Sequence, residues 1–202
     1  MGYHRAGFEV VGVDIEPQPN YPFEFYQKDV FDAIQVLGQH VQVIHASPPC
    51  QAHSALKAYA NDPIDLIPQT REMIIKSGLP YVIENVIGAP LLNPIMLCGT
   101  MFPGLGVKRH RLFESNTPLR VSFECDHSYE SNPPRYNTLR HGKWYQSRFC
   151  PVYGGGGGKG ASGVIDWGPA MGIDWMANRK EMSQSIPPAY TEYIGKQLIK
   201  TL

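Results

Sequence analysis

Residues 41–54 read VQVIHASPPCQAHS. The first six are mainly apolar and β-prone, and they run without a spacer into two prolines and a cysteine. Each proline fixes its own φ and restricts the residue before it. Ser47 to Cys50 is therefore read as a stiff turn at the end of a buried strand. A thiol held there suits a nucleophile or half of a disulfide better than a packing residue. Only the thiolate is strongly nucleophilic, and cationic or dipolar surroundings favour it.

The segments on either side have the same character. FEVVGVD (8–14) is β-branched, ends in an acid and is followed by the turn-rich EPQPNYP, and FEFYQ (23–27) reads as a second, shorter strand. VFDAIQVLGQ (30–39) has helical spacing, with Val30, Ile34 and Leu37 on one side. DLIPQTREMIIKSG (65–78) reads as a helix closed by Gly78, and PYVIENV (80–86) as another buried strand. This alternation predicts an α/β fold with a parallel sheet, whose sites collect at the carboxyl ends of strands. Asp14, Cys50 and Glu84 all fall at such ends. From 116 to 163 the pattern gives way to proline, aromatic, basic and glycine residues, including GGGGG at 154–158, and predicts an insert with little regular structure. Regular spacing returns at DWGPAMGIDWM (166–176), where Trp167, Met171 and Trp175 read as core. PPAYTEYIGKQLIKTL (187–202) reads as a last helix opened by proline. The expected domains are a core over 1–115, the insert over 116–163 and completing helices over 164–202.

With 202 residues, 43% of them hydrophobic, the chain can build one core. It contains no apolar run of about 18 residues, so no membrane partner is expected. Four cysteines without a secretion signal predict free thiols in a reducing cytoplasm. The zero net charge hides an uneven distribution. Residues 1–84 carry 5 basic and 10 acidic side chains, whereas residues 85–165 carry 9 basic and 4 acidic. Arg135, Arg140, Lys143, Arg148 and Lys159 occupy a stretch with no acid, a pattern suited to phosphates.

Glu84 ends four apolar strand residues and is either a capping group or a site carboxylate able to donate to a ring nitrogen. Arg109 and Arg111 alternate about His110 and would face the same way on an extended segment, where two guanidiniums suit an anion. Cys125 and His127, with Cys98 and Cys150, match no common zinc spacing, so the sequence assigns no metal.

ASPPCQAHS, VIENV and KRHRLFE, in that order and spacing, resemble the DNA (cytosine-5)-methyltransferase family, especially its small phage and bacterial members. The resemblance covers nearly the whole chain apart from the insert. It implies a Rossmann-like sheet that uses S-adenosyl-L-methionine, with double-stranded DNA as partner. In it Cys50 is the catalytic nucleophile, attacking C6 of a flipped cytosine, and Glu84 hydrogen-bonds or protonates N3. Arg111 would sit near the cytosine O2 or the cysteine turn, and Arg109 would help to hold the site. The same resemblance assigns Asp14, Ile15, Asp29, Pro48 and Ser185 to the cofactor. Gln51, Ser54, Arg135, Arg140, Lys143 and Arg148 are assigned to DNA. A restriction endonuclease partner and the cytoplasm of a bacterial or phage-infected cell follow from the family. The closing segment QSIPPAYTEYIG looks like the family's C-terminal Asn-x-Val-Pro-Pro motif.

The family opens with a strand and a Phe-x-Gly-x-Gly-Gly loop that cradles the methionine part of the cofactor, and no such segment stands here. The expectation is a sheet lacking its first strand, between the strands at 8–13 and 23–27 on one side and 41–46 on the other, through a truncated gene product or a late start codon. Val107 replaces a usual glutamine, Ser183-Gln184 a usual Gly-Asn, and His45-Ala46-Ser47 a glycine-rich lead-in. A competing reading is a non-catalytic remnant that binds DNA or a partner methyltransferase. Another is a thymidylate-synthase-like enzyme acting on free nucleotides, which the Glu-Asn-Val segment, the strand order and the basic insert disfavour.

Overall fold

A computed structural model of the protein describes residues 1–53, 63–127, 136–140, 143–147, 149–152, 164–176 and 178–202. The chain forms a mixed α/β arrangement in which β1 (Val11–Asp14) pairs in parallel with β2 (Glu24–Gln27). α2 (Val30–Leu37) follows a short α1 (Gly2–Arg5) in chain order and begins where Asp29 Oδ1 accepts the Phe31 N–H at 2.8 Å. That is an ordinary N-cap. β3 (Ile44–Ala46) leads into the cysteine turn. α3 (Ile67–Ser77) carries Pro68 in its first turn and stops at Gly78, whose φ of 71° is the left-handed conformation that glycine adopts without strain.

β4 (Tyr81–Asn85) is buried at every position, because β3 lies along one edge and β6 (Arg111–Ser115) along the other. An uninterrupted apolar run is what such a central strand requires. The sheet runs β3-β4-β6-β5, with β5 being Ile95–Leu97. β3 and β4 are parallel, but β6 is antiparallel to both β4 and β5. The parallel sheet expected from the sequence is therefore corrected to a mixed one. No α-helix lies between β4 and β6 to make a parallel crossover, and an antiparallel pair needs none. No ladder joins β1 to β3 among the described residues, so β1-β2 stands as a separate sheet.

The 116–163 segment also departs from expectation. It holds an antiparallel hairpin of β7 (Tyr136–Arg140) and β8 (Lys143–Ser147), with Arg140 opposite Lys143. YNTLR and KWYQS are β-prone runs separated by His141-Gly142, a hairpin signal that the surrounding irregular composition masks. α4 (Val164–Met171), α5 (Arg179–Gln184) and α6 (Pro188–Leu198) complete the chain.

The contacts divide the chain into two compact units. Unit 1 comprises residues 1–9, 98–109 and 122–196, and unit 2 comprises 10–97, 110–121 and 197–202. In unit 1, Val107, Cys150, Trp167, Ala170, Met171, Ile173 and Met182 form a core against which Trp175 packs, as the spacing of 166–176 predicts. α1 approaches α6 closely through glycine: a Cβ at Gly195 would lie 2.7 Å from the Ala6 Cβ. In unit 2, Ile74 of α3 meets Tyr81 and Ile83 of β4, with Ile34 and Ile44 packed around them. That layer covers one face of the sheet. No helix among the described residues is long and apolar enough to cross a membrane.

Candidate active site

The parallel register of β3 and β4 places Ala46 beside Ile83, so the chain leaves β3 level with Glu84. Pro48 is buried, Pro49 is exposed and Cys50 is partly accessible. The turn is closed by the His53 N–H donating to the Cys50 carbonyl at 3.0 Å. Its anchor is Asn85, the last residue of β4, whose Nδ2 donates to the Pro48 carbonyl at 2.9 Å in a buried hydrogen bond. The same side chain accepts the Val86 N–H through Oδ1 at 2.9 Å. Proline has no N–H of its own to bond, so its carbonyl is the natural handle. His53 in turn stands 3.0 Å from Asp65. Burial works against the Asp65 charge, but the hydrogen bonds from His53 and the Ile67 N–H hold its carboxyl below the usual range. Just before the turn, burial pushes His45 down to about 4, and its Nε2 lies 3.2 Å from the Ser47 hydroxyl.

Glu84 faces away from Tyr81 and Ile83, because side chains alternate along β4. Phe113 of β6 lies directly opposite, and Arg111 is its diagonal neighbour two residues along. Arg111 Nε meets Glu84 Oε1 at 2.9 Å, with both side chains largely buried (15% and 9% exposed). A second bond, from Arg111 Nη1 to the His110 carbonyl at 2.8 Å, fixes the guanidinium. Since β6 runs opposite to β4, its first residue lies at the end of the sheet where β3 and β4 finish. Glu84, Arg111 and the turn that carries Cys50 thus lie at one end of the same sheet. Arg109 has different partners. Its guanidinium donates to the carbonyls of Val152 and Ser183, and its own carbonyl accepts from the Tyr190 hydroxyl at 2.6 Å. It braces backbone within unit 1 and shares no partner with Arg111 among these bonds.

Asp14 ends β1, and both its carboxylate oxygens accept within its own turn, from the Glu16 N–H at 2.9 Å and from Gln18 Nε2 at 3.1 Å. Ile15 is 65% exposed, and Asp29 follows the end of neighbouring β2. Ser185 closes α5, its hydroxyl donating to the Glu181 carbonyl at 2.7 Å. Gln51 is exposed beside Cys50. Ser54, Arg135 and Arg148 lie outside the described residues, and Arg140 and Lys143 are described by backbone alone.

Comparison with known protein families finds no matching family model, and comparison with curated proteins finds no match.

Two features of the geometry escape a reading of the sequence. One is Asn85, whose place in Glu-Asn-Val marks it only as a neighbour of Glu84. The other is a group within unit 1 formed by Cys98, Cys125 and His127, whose ligand atoms all lie within 4.8 Å of one another. Cys150, weighed with them on sequence grounds, is buried in the unit 1 core instead. No disulfide links any of the four cysteines.

Proposed function

We propose that this chain carries out, or descends from a chain that carries out, cytosine-5 methylation of double-stranded DNA. The observation that carries the proposal is the sheet end that holds Glu84, Arg111 and the Cys50 turn, with that turn anchored by Asn85.

The chemistry follows from the side chains. A cytosine taken out of the duplex presents C6 to the Cys50 sulfur. Attack forms a C–S bond and moves an electron pair toward C5, while Glu84 hydrogen-bonds or protonates N3 and draws charge from the ring. Arg111 holds the Glu84 carboxyl in place, and its own position is fixed by the His110 carbonyl. Once C5 has taken the methyl group in place of that electron pair, loss of the C5 proton and departure of the Cys50 thiolate restore the aromatic ring. Arg109 acts as a positioning residue through backbone carbonyls. Gln51, with the basic residues Arg135, Arg140, Lys143 and Arg148, would contact DNA, and the site of action is the cytoplasm of a bacterial or phage-infected cell.

The cofactor implied is S-adenosyl-L-methionine, which supplies the methyl group when bound. Asp14, Ile15 and Asp29 suit its adenosine part, since they gather at the carboxyl ends of adjacent parallel strands with Ile15 open for stacking. No residue described here suits its methionine part equally well. That mismatch, with the missing ladder between β1 and β3, favours a second reading, a non-catalytic remnant that binds DNA.

Duplex DNA of random sequence carrying 5-fluorocytosine, incubated with S-adenosylmethionine, tests the proposal. Fluorine cannot leave C5 as a proton does, so a catalytic chain stalls as a covalent adduct stable to denaturing electrophoresis. The expected result is an adduct with the native chain and none with Cys50→Ala. DNA binding without adduct, and no heat of S-adenosylmethionine binding in calorimetry, would establish the remnant reading instead.

A further inference from the structure

Cys98, Cys125 and His127 all belong to unit 1, and their ligand atoms lie within 4.8 Å of one another. We infer that this trio is a binding site for a thiophilic divalent cation, zinc, held by two thiolates and one imidazole.

Two segments of unit 1 bring the trio together, and each is fixed by contacts that need no metal. Cys98 heads a tight turn over Gly99–Met101, where its carbonyl accepts the Met101 N–H at 3.0 Å and its N–H donates to the Met101 sulfur at 3.2 Å. A Cβ at Gly99 would collide with the Val107 carbonyl, so the chain folds back closely just behind the ligand. The turn ends at Phe102, whose ring meets that of Phe123 edge-on at 6.0 Å. Phe123 also meets Tyr193 of α6 at 5.4 Å, and Phe102 meets Tyr190 at 5.1 Å. Ring pairs at such separations attract. They dock the chain two residues ahead of Cys125. Beyond that point Cys125 and His127 are half-buried while Asp126 between them is exposed, so both ligands turn inward. Cys98 Sγ lies 3.2 Å from His127 Nε2, and the Cys98 and Cys125 thiols are close enough to hydrogen-bond. Tetrahedral zinc at ordinary Zn–S and Zn–N lengths sets its ligand atoms about 3.3–3.8 Å apart. Small side-chain rotations therefore bring the trio to that spacing.

The donor set is chemically specific. Sulfur with imidazole nitrogen selects zinc over magnesium or calcium, which take oxygen ligands. Cys98 is fully buried, and its sulfur accepts a hydrogen bond from the Thr100 hydroxyl at 3.3 Å. Such outer contacts orient a ligand and tune its charge. The trio supplies three of the four positions of tetrahedral zinc. Bound there, the ion ties the 98–101 turn to residues 125–127 within unit 1. The two thiols release their protons on binding, and the two thiolates balance the charge of Zn²⁺. The Cys50 chemistry is not involved.

The test uses the full chain produced in zinc-supplemented medium, passed over a weak chelating resin, and measured for metal by mass spectrometry. One equivalent of zinc per chain is expected. Replacement by Co²⁺ should give the intense visible bands of a tetrahedral site and charge-transfer absorption from two thiolates. Cys98→Ser should weaken retention by more than the roughly 10–100-fold that outer contacts cost. Cys125→His should keep the metal while halving the thiolate absorption. In excess chelator His127→Ala and the native chain should unfold at the same temperature, whereas added zinc should raise the native midpoint alone. Cys50→Ser should leave metal content unchanged. Absence of zinc from the native chain together with no cobalt bands would overturn the inference. So would full zinc retention in Cys98→Ser, or loss of the metal in Cys50→Ser.

Discussion

Asn85 does two things at once. One end of its amide holds the Pro48 carbonyl and the other takes the Val86 N–H, so a buried side chain 1% exposed joins the cysteine turn to the strand carrying Glu84. Removing it leaves a carbonyl and an N–H without their partner, at a cost of about 1–3 kcal/mol for each group that stays buried. Asn85→Ala is expected to lower stability by roughly that amount in urea denaturation. It should also slow adduct formation at Cys50 beyond what the lost stability explains, because the turn is then free to shift. Unchanged trapping at full rate would show that the prolines alone hold the thiol. The bonds of Arg109 contrast with this. The sequence pairs it with Arg111, yet its bonds run to the backbone at Val152 and Ser183.

At the scale of elements, one ion pair joins helix to sheet. Arg71 of α3 makes a two-pronged contact with Glu114 of β6, at 2.8 and 2.7 Å. Its guanidinium also reaches the Pro90 carbonyl at 2.8 Å, while the Leu92 N–H and the Tyr81 hydroxyl donate to Glu114. Burial works against the Glu114 charge, but the Arg71 hydrogen bond and the Leu92 N–H outweigh it and hold the carboxyl below its usual range. Every acceptor site is used, so the pair locks α3, β4, β6 and the 90–92 turn into one geometry. Arg71→Ala strands a carboxylate only 2% exposed and is expected to cost about 3–5 kcal/mol. Thermal unfolding should show the loss, with Glu114→Gln in the Arg71→Ala background recovering part of it. Neither residue was legible as structural from sequence, since 43 positions separate them and charge patterns are read only over short spans. The β7-β8 hairpin, by contrast, carried a local signal in YNTLRHGKWYQS.

For the whole molecule, the division of the strands into separate sheets has a measurable consequence. β1-β2 has two strands and β3-β4-β6-β5 has four. Two-stranded sheets are marginal in water, whereas a central strand opens only with its whole sheet. Native-state hydrogen exchange should therefore show the amides of Val82 to Asn85 exchanging slowest and those of Gly12 to Asp14 exchanging much sooner. Equal protection in both would mean that a further element covers β1 in solution.

The sequence by itself determined what depends on neighbours along the chain. The Pro-Pro turn carrying Cys50, the Asp29 start of α2, the Gly78 stop of α3 and the buried run of β4 are written in spans of a few residues. Their chemistry acts over the same spans. The tertiary structure alone decided which strands run against one another, that β6 lies between β4 and β5, and that Asn85 clamps Pro48. It also decided that Cys98 meets Cys125 and His127 rather than Cys150. Each of these rests on register between segments far apart in sequence. Register comes from burying whole faces together, and no local period records it.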